Sequence, residues 1–178
     1  MTIKDKKVAL ITGINGQDGS YLAEFLLDKG YEVWGTVKRN SVAENQTARL
    51  DKVYDKIKDN LQYVDMTDLS SLVRIIQEST PDEIYNLAAQ SHVRISFDQP
   101  IYTVNTTGIG TLNLLEATRL IKPDAKIYQA ASSEMFGNGI DEDGFQRETT
   151  VMNPVSPYGC AKVFSYNICR NYRNSYGM

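Results

Sequence analysis

The stretch Lys-Val-Ala-Leu-Ile-Thr-Gly-Ile-Asn-Gly-Gln-Asp-Gly, from Lys7 to Gly19, constrains the fold more than any other part of the chain. Val8 to Thr12 is a short apolar and β-branched run of the kind a buried parallel strand needs. Gly13, Gly16 and Gly19 follow at three-residue intervals, so a strand breaks into a glycine turn that opens a helix. Such a turn needs glycine where the backbone bends sharply, where it approaches a ligand without a Cβ between, and where helix and strand pack closely. The first N–H groups of the new helix lack partners and point at the gap, which suits a pyrophosphate. The spacing is G-x-x-G-x-x-G rather than the commoner G-x-G-x-x-G, and three glycines alone also fit an ordinary strand-turn-helix joint. Their position, after the first strand and at the opening of the first helix, supports the dinucleotide reading.

A chain of 178 residues with 42% hydrophobic content is long enough for one well-filled domain. Its 19 Lys and Arg against 22 acidic residues leave a formal charge of -3, which argues against nucleic acid or an anionic membrane as partner. The polar N-terminus and the short apolar run after it are unlike a signal peptide or a membrane span, so a cytoplasmic location is expected. Cys160 and Cys169 fall on opposite sides of one expected helix and are read as packing residues in a reducing compartment. A single histidine, His92, excludes a metal site built from several imidazoles, and no metal is expected.

Strands and helices then alternate. The spacing predicts a helix from Gly16 to Lys29, a strand from Tyr31 to Val37, a loop and short helix around Arg49 to Ile57, and a strand from Leu61 to Val64. Asp68 is placed to cap a helix from Leu69 to Gln77. A strand from Glu83 to Asn86, a long helix from Pro100 to Leu120 and a strand from Lys126 to Ala130 follow. Gly108 and Gly110 inside the long helix are read as sites of close packing. Five such repeats predict a doubly wound parallel sheet of the Rossmann type, with strand order 3-2-1-4-5.

The second strand ends in Lys38-Arg39-Asn40-Ser41 with no acidic residue. An acid there holds a ribose 2′-hydroxyl, whereas a basic residue suits a 2′-phosphate, so NADP is expected rather than NAD; a merely solvated basic loop is the bland alternative. Asp65, just beyond the third strand, is read as an adenine partner or as a turn aspartate. Leu87 to His92 brings small residues past the fourth strand, a second contact region, with Tyr102 within reach of the cofactor. His92 is read as structural before catalytic.

Ala131-Ser132-Ser133-Glu134 follows the fifth strand at the carboxyl edge of the sheet, where ligands bind in such folds. After a loop from 137 to 156, Ser156 caps a helix with Pro157 at its first position. Tyr158 and Lys162, four residues apart, share one face of it. A phenol in water titrates near about pH 10, and a neighbouring cation favours its phenolate. Tyr158 is therefore a candidate base at a substrate hydroxyl.

With these residues in place, the chain resembles the extended short-chain dehydrogenase/reductase superfamily, and within it the GDP-mannose 4,6-dehydratase family. The resemblance runs from Val8 to Gly177 and rests on three segments: Leu10 to Leu27, Pro81 to Val93, and Ser156 to Lys162. It implies NADP held by Gly13, Asn15, Gly16, Gln17 and Asp18, by Arg39, by Asp65 and Met66, by Leu87, Ala88, Ala89, Gln90 and Ser91, and by Tyr102, Tyr158 and Lys162; the reading of the glycine turn and of the basic strand end adds Gly19 and Lys38. It also implies GDP-mannose as substrate, with Tyr158 as base at C4, Glu134 as base at C5, and Ser132 with Glu134 donating a proton as water leaves C6. Ser132 stands where the family usually has threonine, and Ala88 where it usually has glycine. Family members continue well past the residue matching Met178. The expected fold is thus one NADP-binding domain over residues 1–178, ending before a sixth strand and a nucleotide-sugar region. The superfamily commonly dimerises through the helices that here begin at Pro100 and Pro157, so a homo-oligomer is expected. Two other readings stay open: a non-catalytic NADP-binding or oligomerisation module, and another nucleotide-sugar epimerase or dehydratase.

Overall fold

Val8–Thr12 forms β1 in the computed structural model, which describes residues 6–39 and 47–178, and every one of its five residues is buried. Its side chains alternate between two cores. Ala9 and Ile11 join Ala23, Leu26, Val33 and Val37 on one face, while Leu10 joins Leu72, Ile75, Ile84 and Leu114 on the other. A strand that must be apolar on both faces is the mark of a sheet covered on both sides, and each such side chain contributes roughly 1.5–3 kcal/mol by its burial.

The first core is roofed by α1 (Gln17–Asp28) and by short helical turns that include α2 (Tyr54–Ile57). The second is roofed by α3 (Leu69–Ser79) and α6 (Gly110–Ile121). Between them lie β2 (Glu32–Val37), β3 (Leu61–Tyr63), β4 (Glu83–Asn86) and β5 (Lys126–Gln129). All four pairings are parallel and the order is β3-β2-β1-β4-β5, as the alternation predicts. The expected helix around Arg49 to Ile57 is broken into a 3-10 turn at Ala48–Leu50 and the single turn α2. Asn40 and Ser41 lie outside the described residues.

Two features depart from the expected helices. α4 (Val93–Asp98) was not foreseen; the side chain of His92 caps it, Nδ1 accepting from the Ile95 N–H at 3.4 Å. This gives His92 a structural task. The rod expected from Pro100 to Leu120 is not a uniform α-helix, because α5 (Pro100–Thr103) passes into a π-helical segment, Val104–Ile109, before α6. Gly108 and Gly110 sit at its end, where an added Cβ would lie 3.4 Å from the Phe164 ring and 2.7 Å from the Met66 side chain respectively. The close packing read from these glycines is present.

The last helix, α7 (Pro157–Tyr176), starts as the Ser-Pro pair dictates, with Ser156 Oγ accepting from the Gly159 N–H at 3.0 Å. Cys160 and Cys169 are both free. Cys160 does not pack as expected: it is exposed in the first turn of α7, whereas Cys169 is half-buried and its thiol is pushed up to about 11 by that burial. Among the described residues no helix is long and apolar enough to cross a membrane.

Candidate functional site

The strand order reverses between β1 and β4, and the C-terminal ends of those strands frame a cleft where open parallel sheets bind ligands. Thr12, fully buried at the end of β1, ties the two together. Its Oγ1 donates to Asn86 Oδ1 at 2.6 Å and accepts from the N–H groups of Leu87 and Ala88, both at 3.1 Å. Gly13 follows with φ +67°, and a Cβ there would lie 3.1 Å from the Ala88 backbone. Both the left-handed conformation and the close approach call for glycine. Gly19 is likewise pressed on the turn, since its Cβ would lie 2.6 Å from the Gly13 carbonyl. Ile14 plugs the turn into the sheet: it is fully buried against Gly35 of β2, where a Cβ would meet its side chain at 2.5 Å.

Gly16 begins α1, and no side chain caps that end. The ends of α3 and α7 are capped by Asp68 and Ser156, so the first-turn N–H groups of α1, from Gln17 onward, are left for a ligand. Gln17 and Asp18 have exposed side chains and do not line the cleft beside the turn. The cleft beside the turn holds about 160 Å³ and is lined by Gly13, Asn15, Thr36, Lys38, Val64, Asp65, Met66, Ala88, Ala89, Tyr102 and Thr106. An uncapped helix start, a left-handed glycine pressed on the Ala88 backbone and polar groups across the cleft suit a dinucleotide. These residues fit the cofactor that the fold implies.

Within the cleft, Lys38 bridges Asp65 and Tyr102. Its Nζ lies 3.0 Å from Asp65 Oδ2, donates to the Tyr102 hydroxyl at 3.1 Å, and sits 4.8 Å from the Tyr102 ring centroid. Burial works against the ammonium, but Tyr102 and Asp65 outweigh it and raise the pKa of Lys38. Burial likewise works against the Asp65 carboxylate, while bonds from Thr67 and Lys38 hold its pKa below the usual range. Arg39 is exposed and is not part of the cleft lining. Gln90 is held by its own loop, its Nε2 donating to the His92 carbonyl and to Thr103 Oγ1, both at 3.1 Å. Ser91 is exposed beside it, and Leu87 is half-buried against the first core.

The expected catalytic residues gather at the tip of β5 and the start of α7. Ser132 Oγ accepts from the Glu134 N–H at 3.2 Å and so starts a 3-10 turn over Ser133–Met135. Gly159 packs on that turn, for a Cβ there would lie 2.6 Å from the Glu134 carbonyl. Its neighbour Tyr158 is 8% exposed and Lys162 only 4%. Lys162 Nζ stands 5.8 Å from the Tyr158 ring centroid and donates to the Ala130 carbonyl at 2.7 Å. Burial lowers its pKa. A buried polar chain joins the two halves of the site: Asn86 Nδ2 donates to Gln129 Oε1 at 2.7 Å, and Gln129 Nε2 to the same Ala130 carbonyl at 3.1 Å. Thr12, Asn86 and Gln129 were not picked out from the sequence. The available signal was a polar residue at the carboxyl end of each of β1, β4 and β5.

A roomier cavity, about 370 Å³, runs along β5 and α7 between Tyr128, Lys162, Tyr166 and Arg173. It lies at the edge of the sheet rather than at the reversal of strand order, so the smaller cleft is the better ligand site.

A parallel five-stranded sheet wound on both faces, with a glycine turn at the reversal point and a Tyr-x-x-x-Lys helix beyond β5, defines a Rossmann-like domain of the short-chain dehydrogenase/reductase type. Among solved structures, dTDP-glucose 4,6-dehydratase from Streptomyces venezuelae, determined with NAD bound, superposes with a TM-score of 0.78 at 27% identity, covering 96% of this chain and 53% of that one. The sequence pattern of GDP-mannose 4,6 dehydratase matches residues 10–178, and the chain belongs to that family. It is 54% identical over 180 residues to a GDP-mannose 4,6-dehydratase of Vibrio cholerae, covering 97% of this chain and 47% of that protein. Against the human enzyme the identity is 50% over 183 residues, covering 98% and 48%. The chain thus spans about half the length of the curated relatives it matches.

Proposed function

We propose that these residues form the NADP-holding half of a GDP-mannose 4,6-dehydratase, which converts GDP-mannose into GDP-4-keto-6-deoxymannose and water. The observation that carries this reading is the packing of Gly159 on the Glu134 carbonyl, because it seats the backbone of an acidic residue from the β5 tip against the helix of Tyr158 and Lys162. An epimerase that only oxidises C4 has no need of that acid.

The chemistry the dinucleotide supplies when bound is reversible hydride acceptance, from C4 of the sugar and back to C6. Tyr158 takes the proton of the C4 hydroxyl, with Lys162 beside it on the same helical face. The resulting ketone acidifies the C5–H, and Glu134 removes that proton. The C6 hydroxyl departs as water with the proton held by the Ser132 and Glu134 pair, leaving a C5–C6 double bond; as hydride returns to C6 the proton held by Tyr158 passes to C5, so the sugar loses one water, its redox level is restored and both residues are reset. The backbone N–H groups at the start of α1 would hold the pyrophosphate, Asp65 and Tyr102 the adenosine, and Arg39 with Lys38 the 2′-phosphate.

Self-association is part of the proposal. Ile101 is 73% exposed, and Val104, Ile109 and Phe164 are also exposed large apolar side chains on the rod from Pro100 and on α7. A second copy covering these helices would bury them.

The reading is tested by joining residues 1–178 to the remaining part of the Vibrio cholerae relative and supplying GDP-mannose with NADP. Appearance of the 4-keto product from the hybrid, its loss on Glu134→Gln or Tyr158→Phe, and no product from the 178-residue chain alone are expected. A hybrid that epimerises GDP-mannose without dehydration would contradict it.

A further inference from the structure

Thr106 is the one buried side chain among the described residues with a polar atom that finds no hydrogen-bond partner. The residue is 6% exposed, and it lines the cleft that also holds Gly13, Lys38, Asp65, Met66 and Ala88. Buried hydroxyls are nearly always satisfied, so an unsatisfied one on a residue that lines a ligand cleft needs a reason.

The reason lies in the helix that carries it. A threonine inside an α-helix normally returns its hydroxyl proton to the carbonyl four residues earlier. The same rod shows this three times: Thr103 donates to the Gln99 carbonyl at 2.9 Å, Thr111 to Thr107 at 2.8 Å, and Thr118 to Leu114 at 2.7 Å. Thr106 differs in lying within the π-helical segment Val104–Ile109, whose wider turn does not provide that bond. Insertions of this kind recur at functional sites. Here the segment starts two residues after Tyr102, which meets Lys38 in the cleft.

Resting on the dinucleotide reading above, we propose that Thr106 Oγ1 is a cofactor-binding group, donating a hydrogen bond to the adenosine half of the bound dinucleotide. The π-helical segment withholds the hydroxyl from its own helix and presents it to the ligand. The chain without ligand is less stable for leaving the hydroxyl unmatched, and binding removes that deficit. Affinity for the dinucleotide and stability without it are therefore opposed at this one residue.

Thr106→Val keeps the shape and removes the hydroxyl, and Thr106→Ser keeps the hydroxyl. Dissociation constants are measured by NADPH fluorescence titration and, for the adenosine half, by calorimetry with 2′-phospho-ADP-ribose; melting temperatures are measured without ligand. The valine variant is expected to bind both probes about ten-fold more weakly while melting about 2 to 4 °C higher. The serine variant is expected to bind like the native chain. Equal affinity of native and valine chains for NADPH would overturn the assignment, as would a valine variant that loses affinity and ligand-free stability together, since that marks a packing defect. Failure of the native chain itself to bind NADPH would overturn the dinucleotide reading, and this assignment with it.

Discussion

Lys162 donates from Nζ to the carbonyl of Ala130 at 2.7 Å, so the ammonium beside Tyr158 is held by the loop that leaves β5. Burial alone lowers its pKa, and among the described residues no carboxylate opposes that effect. In the unfolded chain the lysine is protonated up to its ordinary value, so the folded state carries the whole penalty at neutral pH. Stability then rises with pH between the lowered folded pKa and the ordinary one. Lys162→Met is expected to melt no lower than the native chain at pH 7, with its advantage shrinking as pH rises towards about 10.5. Thermal melts across that range provide the check; a variant that is less stable throughout would show that the lysine contributes to the fold.

Asn86 is the centre of the buried chain from Thr12 to Ala130, with 1% of its surface exposed. Replacing it by leucine takes the acceptor from the Thr12 hydroxyl proton and the amide donor from Gln129 Oε1 inside the sheet. A loss of about 2–4 kcal/mol is expected, measured by urea denaturation. Dinucleotide affinity should fall with it, because Thr12 also fixes Leu87 and Ala88 beside Gly13.

Glu116 joins α6 to α7. Arg119 grips both of its oxygens at 2.9 Å, and the Tyr172 hydroxyl donates to one of them. These bonds, that from Arg119 foremost, hold its pKa down to about 2. The sign follows: the stabilisation is fully present above the ordinary glutamate range and is lost as pH falls towards about 2. Glu116→Gln is expected to cost about 1 kcal/mol at pH 7, a figure reduced for partial exposure, and to make the native and variant melting curves converge in acid.

Lys38 is already engaged by Asp65 and Tyr102, whereas Arg39 is exposed beyond the same strand. The 2′-phosphate should therefore depend more on Arg39. Arg39→Ala is expected to weaken NADP binding by about ten-fold or more and NAD binding little, with Lys38→Ala affecting both. Competition titrations with the two dinucleotides distinguish these patterns.

Much of this was legible because the glycine turn and five alternating strands obey strong rules of handedness and burial. Strand order, the Asp68 and Ser156 caps and the pairing of Tyr158 with Lys162 on one helix all follow from local pattern. The contact of Lys38 with Asp65 was within reach too, since Gly35 pairs with Leu61 and Val37 with Tyr63, bringing the ends of β2 and β3 side by side. The π-helical segment was not legible, because six residues cannot distinguish its period from that of an α-helix. α4 was missed for a different reason: histidine is an unusual cap, and a helix of six residues has little periodicity to display. The exposed Cys160 shows the limit of reading residue type as burial. Thr106 was invisible for a third reason, as only the surroundings of a threonine reveal whether its hydroxyl is matched.

The cleft at the reversal of strand order is proposed to hold NADP. Its most direct test is a titration of the 178-residue chain with NADPH and with NADH, following enhancement of nicotinamide fluorescence, beside a Gly13→Val variant in which the Cβ must meet Ala88. Saturation at one NADPH per chain, affinity at least about ten-fold tighter than for NADH, and loss of binding in the variant are the expected results. No saturable binding, or equal affinity for the two dinucleotides with the variant unaffected, would show that the cleft is not an NADP site.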